Sequence, residues 1–385
     1  MRLQLTRALA LLGCVLVAPV ARADGDWRLA FDSLVYDDSD NVTTFTPRLS
    51  VRRRLDEDGS TVGAYALVDV LSAASVDVVS QATPGFSEVR TEAGFDLAIA
   101  MGDHLPSASY RFSIEPDYMS HGGRLALRSE LLGPDSVLSI AYGLTGDVVG
   151  RSGTPWSAFS AELFTHAGEV SLTQTLGPTT VVRAIYGLTV QHGYLEKPYR
   201  SVPIFDSTVL ADAQARGTRP TLDTFDALRL PQRPPESVPD LRVGHAIGAR
   251  GLQAIEPIGG SLRLDYQLYL DDWGMSAHAV ELALTGQAIE GLRIVGYGRG
   301  YVQTAVSFWR REYTVNDLGA VPEQRTLDRD LSSYHALTGG ARLEWELGDF
   351  AGYVDGAVSW THYDDYIFLE DRIALLGQVG LRWMP

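Results

Sequence analysis

The chain has almost no cysteine, almost no lysine and no long apolar run beyond its N-terminus. Its single cysteine, Cys14, lies in the N-terminal segment, so the remainder has neither disulfides nor thiol chemistry. Lys197 is the only lysine among 385 residues, and the formal net charge is −16, which argues against nucleic acid as a partner. No stretch of 18 apolar residues follows the N-terminal segment, which excludes helical membrane spans.

The first 23 residues have the pattern of a secretory signal peptide. A basic start at Arg2 and Arg7 precedes an apolar stretch, and an A-x-A cleavage site occupies residues 21–23. We expect cleavage after Ala23, which would leave 362 residues with a net charge of −19. A lipid anchor on Cys14 is the less favoured alternative, because the apolar stretch continues beyond that residue.

Apolar and polar residues alternate in segments of about ten residues, a length typical of barrel strands. In SLRLDYQLYL, Leu262 and Leu264 fall on one face of a strand, whereas Arg263 and Asp265 fall on the other. Successive side chains of a strand point to opposite faces, so this period of two predicts β-structure with one apolar surface. We find about sixteen such segments, which begin near Trp27, Val42, Thr61, Val89, Pro106, Gly122, Ser136, Ala167, Thr179, Asp240, Gly259, Ser276, Gly291, Tyr334, Phe350 and Arg372.

The connections between these segments alternate in length. Those after even-numbered segments are short, as in LDEDGS, MGDHLP and LGD, whereas several others are long, at residues 71–88, 147–166, 191–239 and 303–333. Short periplasmic turns opposite long extracellular loops are typical of outer-membrane barrels. We therefore predict an all-β fold, a transmembrane antiparallel barrel that occupies residues 24–385 as one domain in a Gram-negative outer membrane.

Charged residues and tryptophans indicate how such a barrel lies in the membrane. A charge that faces lipid at the midplane costs about 2–4 kcal/mol, so the charged register must face inward. The predicted inward charges are Arg90, Glu92, Asp96, Arg111, Glu115, Arg124, Arg128, Glu130, Arg263, Asp265, Arg342, Glu344, Glu346 and Asp355. On the apolar register, we predict Trp27, Trp345 and Trp383 at the periplasmic rim and Trp360 at the outer rim.

The segment 191–239 is the longest predicted loop. It contains seven of the 18 prolines and no strand pattern, and loops of this length are usually functional or disordered. Two roles stay open: the loop folds inward as a constriction, or it stands outside as a contact surface.

A short internal repeat lies between the third and fourth segments. DVLSAAS at residues 69–75 is followed by DVVSQAT at residues 77–83, and both fit D-x-x-S-x-A-[ST]. The pattern resembles the acceptor sequence of proteins that receive covalent flavin mononucleotide (FMN) from periplasmic flavin transferases. In that family the final hydroxyl is esterified, so the resemblance implies Ser75 or Thr83 as the attachment site. The supporting motif residues are Asp69, Ser72, Asp77 and Ser80. Ala73 and Gln81 depart from the small glycine or serine usual at the fifth position.

Other polar clusters give weaker signals. Asp117, Ser120 and His121 are adjacent in sequence, whereas a catalytic triad takes its geometry from separated positions. The acidic segments LDDWG and HYDDY fall in predicted outer loops, where they could bind Ca²⁺ or bridge lipopolysaccharide, or are simply solvated. A barrel hydrolase would use rim histidines such as His192, but none stands in a recognisable motif. We predict no catalytic residue, no metal ligand and no enzymatic activity.

Several segments together are similar to a family of Gram-negative outer-membrane proteins of unknown function. They are DVVSQATPGFSEVR, SIEPDYMS, GYLEKPYRSVP, PESVPDLR, YQLYLDDWGMSAH and RGYVQTAVSFW. The resemblance implies a barrel with no established activity. It also implies a gene neighbourhood, because genes of this family often lie beside genes for a periplasmic flavin transferase, small lipoproteins and thioredoxin-like proteins.

Two functional hypotheses follow. The first is a channel or an export or uptake conduit. The second is a structural or redox-accessory barrel that carries FMN and has a flavin transferase or a thioredoxin-like protein as partner. In either case we expect outer-membrane lipid, lipopolysaccharide and the barrel-assembly machinery as partners.

Overall fold

The computed structural model describes residues 26–73, 86–131, 133–221, 223–315 and 320–385. Within these ranges, sixteen strands form a closed antiparallel barrel, and two further short strands pair in a small parallel sheet. No helix in these ranges is long and apolar enough to cross a membrane. The predicted fold class and strand number are confirmed.

The turns on one side of the barrel are all short, whereas the connections on the other side range from two residues, at 116–117, to long loops. The barrel strands are β1 (Trp27–Asp38), β2 (Val42–Arg54), β3 (Thr61–Ala73), β4 (Phe86–Ala98), β5 (His104–Glu115), β6 (Tyr118–Glu130), β7 (Ser136–Val149), β8 (Ala161–Gly177), β9 (Thr180–Gly193), β11 (Leu241–Ile255), β12 (Gly260–Asp271), β13 (Ser276–Ile289), β14 (Leu292–Gln303), β16 (Tyr334–Leu347), β17 (Phe350–Tyr363) and β18 (Asp371–Trp383). The loops contain β10 (Ile204–Phe205), β15 (Tyr313–Thr314), α1 (Ser207–Ala215), α2 (Phe225–Leu228) and the 3₁₀ turns Glu256–Ile258 and Arg329–Leu331.

The barrel closes because β1 pairs with β18 on one side and with β2 on the other. Strands β9 and β11 are direct neighbours, as are β14 and β16, since β10 and β15 belong to loops. The largest boundary error of the sequence analysis is at β8, which begins at Ala161 rather than at Ala167. The missed residues include Glu162 and His166 on the outward face, where the analysis expected apolar side chains.

The two faces of the wall differ as the alternation predicted. Outward side chains such as Leu264, Leu282 and Leu337 are about half exposed or more, at 51%, 49% and 60%, because lipid rather than protein would cover them. The inward face carries the charged register, whose members form ion pairs with one another. The barrel therefore has an apolar outer wall that suits lipid and a polar interior.

The tryptophans lie at the two rims. At the periplasmic ends of their strands, Trp27 lies 5.3 Å from the guanidinium carbon of Arg53, and Trp383 stacks on Phe350 at 6.4 Å. Trp345 lies near the periplasmic end of β16. At the outer end of β17, the indole N–H of Trp360 donates to Asp371 at 2.9 Å. The predicted positions of these four tryptophans at opposite ends of the barrel are confirmed, with Trp27, Trp345 and Trp383 at one end and Trp360 at the other.

Candidate functional site

The lumen is lined by arginines and carboxylates that pair across neighbouring strands. On β11, β12 and β13, Arg250 and Arg263 flank Asp265, and Arg263 also reaches Glu281. On β16 and β17, the Nε of Arg342 donates to Asp355 at 2.9 Å. These ion pairs place arginines and carboxylates side by side on the lumen wall, so neither sign of charge dominates where they occur.

One cavity of about 720 Å³ lies against the lumen side of β2 to β7. Its charged lining consists of Arg48, Arg52, Arg111, Arg124 and a single carboxylate, Asp96. Arg52 pairs with Asp96 at 3.1 Å, while Arg48 lies over the Tyr65 ring, 4.4 Å from its centroid. Arg111 and Arg124 also pair with carboxylates, Glu92 at 3.5 Å and Glu169 at 3.9 Å. Guanidinium groups bind carboxylate and phosphate oxygens in bidentate geometry, so Arg48 is the lining side chain best suited to an anionic group.

The outer mouth is associated with a folded assembly of loops that we call the cap. It consists of residues 194–240, 272–275, 304–315, 320–333 and 364–370, without the undescribed position 222, and it includes β10, β15, α1 and α2. Residues 191–239, predicted to lack strand structure, thus contain a two-residue strand and two helices. Asp206 caps the N-terminus of α1, because its carboxylate accepts hydrogen bonds from the amides of Thr208 and Val209.

The cap has its own apolar core. Val202, Ile204 and Leu327 are fully buried, and Phe205 is 1% exposed. Around them pack side chains from every other cap loop, namely Trp273, Met275, Val306, Trp309, Tyr366, Ile367 and Phe368. A cluster drawn from four separate loops orders them together, because removing any one loop would expose the apolar surface of the others.

A buried ion cluster joins the two largest cap loops. Arg200 pairs with Asp328 and lies 3.4 Å from Glu236, whose other oxygen accepts from the Lys197 amide at 2.7 Å. Burial alone would lower the pKa of Arg200, but Asp328 and Glu236 raise it above its usual range. Burial would raise the pKa of Asp328, but Arg200 and then Lys197 bring it below its ordinary value. The stabilisation from Asp328 is therefore present above the carboxyl's unfolded pKa and is lost only as pH falls through the lowered folded value.

Two contacts fasten the cap to distant parts of the rim. Arg329, from the loop after β14, pairs with buried Asp40 in the turn between β1 and β2. Tyr199, from the loop after β9, donates to Asp117 in the turn between β5 and β6. Burial and this hydrogen bond raise the pKa of Tyr199 to about 12. Since β16, β17, β18 and β1 separate the first contact from its loop of origin, the cap spans at least four strands of the rim.

Inward-facing side chains at the strand ends support the cap from below. The side-chain amide nitrogen of Gln303 donates to the backbone carbonyls of Asp330 and Ser332, at 2.9 and 2.7 Å. Tyr334 lies between Tyr301 and Tyr363, with ring centroids 5.4 and 5.5 Å apart. The cap thus rests on the lumen side of the wall, over the opening.

The proposed flavin-attachment residues divide between the barrel and the undescribed part of the chain. Asp69 points into the lumen, where the Nε of Arg90 donates to it at 2.7 Å and Thr46 also donates. Ser72 lies three residues further along β3 and so on the opposite face. Ser75, Asp77, Ser80 and Thr83 lie outside the described residues. Flavin attachment stays a prediction.

The adjacent polar residues of the DYMSHG segment do not form a site. Asp117 occupies a turn and binds Tyr199, Ser120 is buried, and His121 points outward beside Phe112.

Among the described residues, one group has ligand atoms close enough for a cation. His362, Glu370 and Asp371 place these atoms within 4.8 Å of one another at the outer rim. Two acidic residues of the HYDDY segment lie elsewhere: Asp364 is 3.3 Å from His335, and Asp365 is 3.5 Å from Arg311. The exposed trio is suited to a hard divalent ion, although solvated acidic groups commonly adopt such spacing.

The residues that hold the cap in place carry no pattern in the sequence that predicts their role. No hydrophobic periodicity marks the segments that contain Arg200, Arg329 and Tyr199. Their partners are distant in sequence: Arg329 and Asp40 are 289 residues apart. The long loops are rich in aromatic and proline residues, and this composition was the one indication in the sequence that they fold together.

A closed antiparallel barrel with a lipid-facing apolar wall, two tryptophan rims and a charged lumen defines an outer-membrane β-barrel protein. Within that class, the chain belongs to a family described as "Protein of unknown function (DUF3570)", whose model matches residues 157–363. The family of unknown function predicted from the sequence is thereby confirmed. No curated protein matches the sequence.

Solved outer-membrane proteins share the fold at low sequence identity. CdiB from Acinetobacter baumannii has a TM-score of 0.50 at 9% identity, with 92% of this chain and 60% of CdiB covered. The siderophore receptor PirA from Acinetobacter baumannii has a TM-score of 0.44 at 9% identity, with 89% and 54% covered. A bacterial polysaccharide outer membrane secretin has a TM-score of 0.49 at 6% identity, with 94% and 99% covered. The chain thus spans little more than half of PirA, and these likenesses concern the fold alone.

Proposed function

We propose that the protein is a non-enzymatic conduit for small polar solutes in the outer membrane, with an outer mouth that the cap closes and releases. The observation that supports this most is the pair of rim contacts, Arg329 with Asp40 and Tyr199 with Asp117, which fasten the cap to two separate turns of the outer rim. Export through a cleaved signal at residues 1–23 is part of the same proposal.

The lumen supports passage of polar solutes. Barrels of sixteen strands leave an aqueous channel that their own side chains do not fill. Its arginines and carboxylates are paired, so we expect weak selectivity between cations and anions once the cap is released. The cavity with four arginines is where an anionic solute would bind inside the lumen.

Weakening one rim contact should raise conductance. In Arg329→Gln, the buried Asp40 carboxylate loses its cation, which destabilises the closed cap by on the order of 1–3 kcal/mol. A shift of that size changes the ratio of open to closed molecules by roughly five- to 150-fold. Single-channel recording of purified protein in planar bilayers measures this directly.

The matched control is Arg216→Gln, an arginine-to-glutamine change on the exposed surface of the cap. We expect its open fraction to equal that of the wild type. Silence of both the wild type and Arg329→Gln at every voltage would count against a channel.

Covalent FMN is a second proposal, and a contact of Asp69 bears on which repeat would carry it. Asp69 of the first repeat is already bound by Arg90 inside the barrel wall, so we propose Thr83 of the second repeat as the acceptor. Co-expression with a periplasmic flavin transferase, followed by intact-mass measurement, should show one added flavin phosphate on the wild type. The addition should persist in Ser75→Ala and disappear in Thr83→Ala; no addition to the wild type would reject the proposal.

A further inference from the structure

Histidine is distributed unevenly over the barrel. Seven of the eight histidines, all but His104, lie at the outer ends of their strands on the lipid-facing side. His104 instead begins β5 at the periplasmic rim. A random placement of a polar side chain would not favour one face and one end of the wall.

Four of the seven share one geometry with a tyrosine. The pairs are Tyr110 with His121, Tyr142 with His166, Tyr186 with His245, and Tyr266 with His278. Each hydroxyl lies 2.6–2.9 Å from the Nδ1 of its histidine, and the ring centroids are 6.1–6.2 Å apart. We call these four pairs the Tyr–His belt.

The strand register repeats with the same offset in every pair. Tyr110 lies opposite Gly123, two residues below His121, and Tyr266 lies opposite Val280, two residues below His278. The pairs on β7 and β8 and on β9 and β11 follow the same diagonal. The belt therefore runs at one level across eight adjacent strands, β5 to β13, which form half of the wall.

The tyrosine contact fixes what each histidine offers to its surroundings. When the imidazole is neutral and Nδ1 accepts the tyrosine proton, Nε2 carries hydrogen. When the imidazole is protonated, both nitrogens carry hydrogen and Nδ1 donates to the tyrosine oxygen instead. Nε2 is therefore a hydrogen-bond donor in the protonated ring and in the neutral tautomer that accepts the tyrosine proton, and an acceptor only in the neutral tautomer with hydrogen on Nδ1. In the first two states the belt presents a row of N–H groups to an acceptor outside the barrel.

The outward wall around the belt carries few charged side chains, one of which is the carboxylate of Glu162 at the outer end of β8. Among the described strand residues, Arg53 is the one arginine on the outward face, and it lies at the periplasmic rim. At the outer rim, His335 and His362 are next to the carboxylates Asp364 and Asp371, which excludes them from the belt. The ring neighbours of the belt histidines are aromatic, such as His192, which stacks on His166 at 5.6 Å.

We propose that the Tyr–His belt binds phosphorylated glycolipid headgroups of the outer leaflet, with the Nε2 groups donating to phosphate oxygens. The leucine-rich wall directly below the belt would hold the acyl chains of the same molecules, since outward Leu282 and Leu284 follow His278 on β13. This combination of an apolar surface and a row of donors at one height suits a lipid rather than a soluble anion.

The test compares lipid A that carries both phosphates with enzymatically dephosphorylated lipid A. Native mass spectrometry of the detergent-solubilised full chain counts bound lipid for the wild type and for His121→Phe/His166→Phe/His245→Phe/His278→Phe. The control is His104→Phe, the same exchange at the opposite rim. Losing four charge-assisted hydrogen bonds should lower the preference for the phosphorylated lipid by at least about tenfold, while His104→Phe retains it.

A second set, Tyr110→Phe/Tyr142→Phe/Tyr186→Phe/Tyr266→Phe, keeps every imidazole and should show an intermediate preference, because Nε2 is then no longer held as a donor. This set decides the question if the histidine variant does not fold. Equal binding of both lipids by the wild type, or wild-type preference in the tyrosine set, would overturn the proposal. Displacement of bound lipid by excess inorganic phosphate alone would reassign the belt to soluble phosphate.

Discussion

Replacing Arg200 with methionine should destabilise the folded cap by about 3–5 kcal/mol, because breaking a buried ion pair leaves uncompensated charge. Asp328 and Glu236 both face this guanidinium, and the Glu236 side chain is only 2% exposed. Methionine fills much of the same volume, so the loss comes from the two unpaired carboxylates rather than from a cavity.

Hydrogen exchange resolved by mass spectrometry separates the cap from the barrel. In Arg200→Met, amides of residues 200–240 and 320–333 should exchange much faster than in the wild type, whereas strand amides keep their protection. The triple variant Arg200→Met/Glu236→Gln/Asp328→Asn removes the stranded charges and keeps the hydrogen-bond acceptors, so it should recover most of the protection. Unchanged exchange in Arg200→Met would show that the ion cluster does not stabilise the cap.

A barrel without its two main cap loops should remain closed as a sheet and open as a pore. His192 and Leu241 are register partners on β9 and β11, and Gln303 and Tyr334 are partners on β14 and β16. Both long loops can therefore be replaced by tight two-residue turns without moving a strand. The wall loses no strand pairing, because the cap contributes only β10 and β15, which pair with each other.

The expected effect on conductance is large. With the loops gone, Asp40 and Asp117 lose their cap partners, and nothing from residues 194–240 or 304–333 extends across the mouth. The remaining lumen is that of a sixteen-strand barrel, which is wide enough for water and small solutes. We expect a permanently open state with weak ion selectivity.

The barrel was predictable from the sequence because the alternation that marks each strand lies within a few consecutive residues. Leu262, Leu264, Arg263 and Asp265 reveal the two faces of β12 within four residues, and each strand repeats that signal. The free-energy cost of a charge that faces lipid at the midplane also enforces the alternation of apolar and polar residues, because that cost applies to every strand. Where polar residues face outward at the outer rim, as Glu162 and His166 do, the strand boundary was misplaced by six residues.

The cap was not predictable because its contacts join distant segments. Val202, Trp273, Val306 and Tyr366 come from four loops, and no period relates them. The Tyr–His belt was missed for a related reason: Tyr266 and His278 meet only when the register of β12 and β13 is known. Sequence alternation gives the face of a residue, whereas its partner on the next strand depends on pairing.

The balance of charge differs between the wall and the rest of the chain. Lumen arginines such as Arg250 and Arg342 pair with carboxylates on the same face, although the whole chain carries a formal charge of −16. Much of the acidic excess must therefore lie outside the ion-paired lumen.

The most direct test of the central claim is the single-channel conductance of the loop-replaced barrel beside that of the wild type in the same planar bilayer. Heat-modifiable migration and far-UV circular dichroism first establish that the variant barrel is folded. The account predicts long, large-conductance openings for the variant and mostly closed traces for the wild type. A folded variant that stays as closed as the wild type would contradict it, because the lumen itself would then be the barrier.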